Sequence, residues 1–477
     1  TARGKMVNPL RTALFGLLFV ASLFLLAVNA REQHRQAAVA GAPLEAINAD
    51  LVARIAIVHL RDPALPTSDP LARRALRTAI QRYRVLLRAH PRSPVLQQRI
   101  GILLGVNEGP EAAWEWLRAR SSGPDLMLWQ AAYAPGALSP AARDAALSRL
   151  EALNLAWYGE LVRARIYAKA GAASQAQETL ARLQRRLRPG VMGAILFSSL
   201  ALIAVPFGAG VWVAALLLRQ QGLLRPADRP QPFTAVRPRA LIEAFVAWFF
   251  AIIAGGWGLR QLLAALDLPR EWPLAAPIGL LLLTQIVAAA AGGALLLAGA
   301  RRQGSGDAPE SGSAESDSAT PSSPIATREI AYGVVTYLAA LPLLLLTAGV
   351  LGRLLPNVPT PPNPGIALAL RAQSFWDWAF LILVVVVMAP IFEEIFFRGA
   401  LYGAIRRHAG AGAAIAVTSL FFALVHPQLP LGFLPILVLG IVFAIVVELR
   451  RSLIPSIVAH MLNNGVALLL LAVVRTP

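Results

Sequence analysis

The sequence predicts an all-α fold: a polytopic membrane helix bundle of about nine spans that carries a soluble all-α domain near its N-terminus. Three observations point there. Hydrophobic residues fill 56% of the 477 positions and charged residues only 15%, against about 25% charge in a soluble globular chain. Several apolar runs reach the roughly 20 residues that a helix needs to cross a bilayer. Between the first two of them lies a polar, Arg-rich stretch, Arg31 to Arg188, with apolar residues at helical spacing and no spanning run. Cysteine is absent, which excludes disulfides, thiol catalysis and thiolate metal sites. The net charge is +18, from 44 basic and 26 acidic residues. In a soluble chain that excess would point to nucleic acid. Here many arginines sit in loops between apolar runs, the distribution that sets orientation in a membrane, and basic residues are not interleaved with aromatics as in single-strand binders. The expected partner is the lipid bilayer, and no nucleic acid.

In chain order, the basic flank Arg3, Lys5 and Arg11 precedes an apolar segment, Thr12 to Asn29. Residues 1–30 are either a retained membrane anchor or a secretory signal, since Val28-Asn29-Ala30 loosely fits a cleavage site; the length of the run favours the anchor. The stretch 31–188 is then expected outside the cytoplasm. Its helical spacing shows in Ala75-Leu76-Ala79-Ile80-Tyr83 and in Leu96-Ile100-Leu103-Leu104, with Pro and Gly as punctuation. Leu86 to Pro91 and Ala164 to Gly171 resemble tetratricopeptide units, although no period of about 34 residues runs through the domain. Such a domain either binds a protein partner or substrate, or packs on its own membrane part. Residues 191–302 hold three further spans. The loop up to Arg239 carries Arg219, Arg225, Arg229, Arg237 and Arg239 and is expected to be cytoplasmic. Residues 303–324 form an acidic, Ser/Gly/Pro-rich stretch expected to be a disordered linker. Residues 330–477 make the last unit, with segments at Ile330 to Gly352, Phe375 to His408, Ala413 to His426, Leu431 to Leu449 and Leu453 to Val474. The chain is thus expected to be a multi-pass protein of a bacterial-type cytoplasmic (inner) membrane.

The chemistry concentrates in that last unit. Ala389 to Arg398 reads A-P-I-F-E-E-I-F-F-R, after a run of pure hydrocarbon. One ionisable side chain at the centre of a membrane helix costs roughly 2.5–3.5 kcal/mol, so Glu393, Glu394 and Arg398 at that depth mark a functional site by default. Glu393 lies 17 residues before Gly410 and His426 lies 16 after it. Both therefore stand roughly 25 Å from one turn, at similar depth on adjacent antiparallel helices. His460 comes up on the last segment, nine residues past Arg451, with Asn464 one turn deeper. Residues four apart share a helix face: Glu394 with Arg398, Phe422 with His426, His460 with Asn464. Arg398 can neutralise Glu394 and leave Glu393, rotated by one helical step, as the group that takes a proton from water. Taken singly, each group has a plainer reading: a structural clamp for Glu394 and Arg398, an interfacial hydrogen bond for a histidine, interhelical glue for Asn464. Their convergence favours a site. The other histidines (His34, His59, His90, His408) lie in soluble or interfacial stretches.

These three motifs, E-E-x-x-x-R, F-x-x-x-H and H-x-x-x-N, in that order on successive membrane helices, resemble the CAAX-protease and bacteriocin-processing (CPBP/Abi) family of intramembrane proteases over about residues 375–474. The resemblance implies hydrolysis of a peptide bond in a membrane-associated or lipidated substrate. By motif position, Glu393 would activate the water with His426 and His460 assisting, Asn464 would help hold the oxyanion, and Glu394, Arg398 and Phe422 would support the site. It favours a glutamate mechanism without a cofactor. Zinc on Glu393, His426 and His460 is the alternative, although no H-E-x-x-H occurs. A non-catalytic scaffold or immunity protein that keeps the motif is the rival function. A transporter fits less well, because no inverted repeat or further charge-lined helix is found.

Overall fold

The computed structural model describes residues 9–40, 43–266, 275–304, 323–355, 364–426 and 428–475. The expected acidic linker lies almost wholly outside them, as do residues 356–363. All described regular structure is helical. The chain divides into two compact units, Thr1–Arg35 with Leu200–Leu469, and Gln36–Ser199 with Leu470–Pro477.

The second of these holds α2 (Pro43–Val58), α3 (Pro70–Ala89), α4 (Pro94–Asn107), α5 (Pro110–Arg118), α6 (Gly123–Tyr133), α7 (Pro140–Leu153) and α8 (Trp157–Lys169), after α1 (Pro9–Ala40). The prolines that punctuate the sequence become first-turn residues of α3, α4, α5, α6 and α7, where a missing N–H costs nothing. Asp69, Ser93 and Ser139 accept hydrogen bonds from first-turn amides and cap three of these helices. The apolar faces read from spacing are inside: Leu76, Ala79, Ile80, Tyr83, Ile100, Leu103 and Leu104 are all buried.

A polar knot not visible in that pattern ties four helices together. The Tyr83 hydroxyl donates to Asp50 at 2.5 Å, Tyr158 donates to the same oxygen at 2.8 Å, and Arg99 reaches the other carboxylate oxygen at 3.4 Å. Burial first, and then the Asp50 charge, push the Tyr83 phenol well above its usual range, so it stays a donor. Asp50→Ala should remove the acceptor that these donors share and lower stability by about 1–3 kcal/mol. Thermal melting followed by tryptophan fluorescence measures this, and an unchanged melting temperature would show the knot to be dispensable.

The other unit contains α1, the C-terminal part of α9 (Ala173–Gln220), α10 (Pro238–Ala265), α11 (Ala275–Gly304), α12 (Ser323–Leu354), α13 (Pro364–Ala369), α14 (Phe375–Leu381), α15 (Ala389–Glu394), α16 (Tyr402–Leu424), α17 (Phe433–Arg450) and most of α18 (Ile454–Arg475). Two boundaries differ from expectation. Helix α9 runs unbroken through Pro189-Gly190, where the sequence reading ended one domain and began a span. Among the described residues eight helices, not nine, are long and apolar enough to cross a membrane. The difference arises at Phe375–Leu424, a single 50-residue apolar run that the sequence reading counted as two spans. Its break is Gly410, with φ 83° and ψ 174°, a conformation that glycine alone adopts cheaply. Eight such helices make this an integral membrane protein.

The α14–α16 stretch is not one plain helix either. Two π-helical segments, Ile382–Met388 and Ile395–Leu401, flank α15. Such wide turns inside helices are frequent at functional sites. An aromatic wall on α10 braces the second: Trp248 stacks on Phe396 with centroids 4.8 Å apart, and Phe245 meets Phe397 edge-on at 5.2 Å.

Candidate active site

The carboxylates close α15, and Arg398 sits in the π segment after it. Glu394 is fully buried and pairs with Arg398 at 3.2 Å, as the four-residue spacing predicts. A second partner was not predicted: His460 Nδ1 donates to the same Glu394 oxygen at 3.0 Å, and the Ser456 hydroxyl also lies against this carboxylate. Glu394 therefore orients an imidazole as well as anchoring a guanidinium. With Nδ1 so engaged, His460 Nε2 faces Glu393 Oε2 at 3.8 Å. That Glu393 oxygen is buried and has no hydrogen-bond partner among the described residues.

His426 lies just past the end of α16. Its Nδ1 meets the Phe422 carbonyl at 2.6 Å. A carbonyl can only accept, so Nδ1 carries the proton and Nε2 is left for other partners. Phe422 is the hub of the cluster. Its ring lies 4.6 Å from the His426 ring, 5.8 Å edge-on from His460, and 4.1 Å beneath the Arg398 guanidinium. The cation–π contact helps a buried charge that also reaches the Gly440 carbonyl at 3.5 Å. Gly440 lets α17 come this close: a Cβ there would stand 3.0 Å from the Ser419 backbone of α16, which would have to give way.

Asn464 has a partner that spacing could not disclose. Its Nδ2 donates to the Val385 carbonyl at 2.9 Å. The reason is Pro390. In this segment the Ala389 amide bonds back five residues, to Val384. In the same register Val385 would need the amide of residue 390, and proline has none. A carbonyl orphaned in a membrane is costly unless a neighbouring helix answers it, and Asn464 does so. Asn464→Ala should therefore lower the melting temperature, by the equivalent of about 1–3 kcal/mol for one unsatisfied group. A variant with unaltered melting would show that the carbonyl finds another donor.

The structure thus brings Glu393, Glu394, Arg398, Phe422, His426 and His460 into one cluster, with Asn464 tethered one turn beyond His460. Sequence reasoning missed Phe443, whose ring is 5.3 Å from His460, along with Ser456 and Val385. Among the described residues no group of three His, Cys, Asp or Glu side chains is arranged to hold a metal ion, so no step is derived through the zinc alternative. Comparison with curated proteins and with solved structures gave no match. Residues 375–466 do match the family model described as Type II CAAX prenyl endopeptidase Rce1-like, and through that segment the chain is similar to the CAAX-protease family to which its three motifs point.

Proposed function

We propose that the protein is an intramembrane endopeptidase. The observation that carries this reading is the pairing of a buried Glu393 oxygen, without a hydrogen-bond donor among the described residues, with a histidine Nε2 3.8 Å away. A water molecule can hydrogen-bond to both atoms across that gap. Glu393 takes a proton from this water as the oxygen attacks the carbonyl carbon of a peptide. The Asn464 amide, which has a second N–H beside the one given to Val385, donates to the resulting oxyanion, while the bare imidazole Nε2 atoms accept from the water and orient it. The C–N bond then breaks as the held proton passes to the leaving nitrogen, giving a carboxylic acid and an amine. Glu394 and Arg398 act through His460, by fixing its orientation.

The substrate class, a membrane-associated or lipidated protein or peptide, rests on the family likeness. So does the assignment to a bacterial-type cytoplasmic membrane. The arginine-rich loops favour residues 31–188 on the outer side, where the helical domain would meet a partner. Cytoplasmic labelling at Ser93 would overturn that orientation. The decisive experiment compares the membrane proteomes of cells carrying the wild-type and Glu393→Ala chains. An uncut precursor present only in the variant supports the reading. Identical proteomes, together with full complementation of a deletion by the variant, would favour the scaffold.

A further inference from the structure

The loop between α9 and α10 is stapled to the basic end of α17. The Ala227 amide donates to the Leu449 carbonyl at 2.7 Å, Arg229 Nε to the Arg450 carbonyl at 2.6 Å, and Gln231 Nε2 to Glu448 at 2.9 Å. Beneath it, between the loop and the start of α16, is a cavity of about 260 Å³. Its wall carries four guanidiniums, Arg398, Arg406, Arg407 and Arg451, and no carboxylate.

Two of these charges are already matched: Arg398 by Glu394 and Arg406 by Glu448. The other two form no ion pair among the described residues. Arg407 gives its hydrogen bonds to the backbone carbonyls of Phe233 and Val236, and Arg451 to that of Arg229. These acceptors are neutral, so Arg407 keeps its charge unmatched, while Arg451 has only the field of Glu448, which Arg406 already engages. Arg398, only 1% exposed, has an Nε without a hydrogen-bond partner among the described residues. The cavity lies where α17 ends at Arg450, the level at which a spanning helix meets lipid headgroups. Basic pockets between spans at this level are sites for anionic headgroups. Pro230, Pro232 and Gly403 make much of the remaining wall, a surface suited to a glycerol unit and too confined for a polyanion.

We propose that this cavity takes the phosphate of an anionic phospholipid headgroup. The inference is independent of the peptidase reading, and a Glu393→Gln chain should bind the lipid as well as wild type. The test is a titration of the purified full chain in neutral detergent, followed by thermal melting. The ligands are short-chain phosphatidylglycerol, short-chain phosphatidylcholine and glycerol phosphate. The variants are Arg407→Gln, Arg451→Gln and Thr234→Glu; the last adds a like charge to the wall without removing any bond that holds the loop. Each variant is compared with its own unliganded melting curve, which separates binding from folding. The expected result is a rise in melting temperature with phosphatidylglycerol and little with phosphatidylcholine. The apparent affinity should fall about fivefold for each lost arginine and at least as far in Thr234→Glu. Equal responses to the two lipids, or a phosphatidylglycerol response that survives all three substitutions, would overturn the proposal. Glycerol phosphate binding as tightly as phosphatidylglycerol would overturn the lipid source and assign the cavity to a free phosphate ester.

Discussion

Glu393→Gln is expected to lose peptide cleavage by about 10²–10⁴-fold, the range that a positioned general base supplies, while the protein melts at the wild-type temperature. Glutamine has nearly the shape of glutamate but cannot hold a proton taken from water. The side chain is 23% exposed and makes no hydrogen bond through its buried oxygen among the described residues, so an amide of the same shape breaks no hydrogen bond there. Measuring both rate and melting on one preparation separates chemistry from stability. Full turnover in this variant would remove the mechanism, whatever became of the fold.

The reverse pattern is expected for Arg398→Met, which should destabilise the membrane unit by about 3–5 kcal/mol. That is the usual cost of deleting one partner of a buried ion pair. The two side chains are 1% and 0% exposed, so Glu394 would be left charged with no cation beside it. The Phe422 ring would lose its cation as well. Activity should fall with stability, because Glu394 also holds His460 Nδ1. The double variant Glu394→Gln/Arg398→Met removes both charges and should recover part of the lost stability. Thermal melting of the single and double variants in detergent decides the point. A single variant as stable as wild type would mean that the pair contributes nothing net.

The parts of the site legible in the sequence are those that a single helix encodes. Glu394 with Arg398 and Phe422 with His426 lie four residues apart, and a helix brings such residues together wherever it sits. The π segments were illegible because a one-residue widening of the turn leaves no mark in apolar spacing. The Asn464 partner was illegible for another reason. Val385 lies 79 residues away and is one valine in a hydrocarbon run, with nothing in its side chain to advertise a carbonyl in need. The bond from His460 to Glu394 likewise depends on how α18 rotates, which its own sequence leaves open. In the helical domain the apolar faces were readable, whereas the Asp50 knot joins residues up to 108 positions apart.

The hydrogen bond from Asn464 to Val385 works as a mechanical key between two spans. Sliding α18 along its axis by one residue moves the amide by about 1.5 Å, enough to disengage it. The same slide would draw the His460 ring out of line with Glu393. A proline that looks like a flaw in one helix therefore gauges the alignment of another.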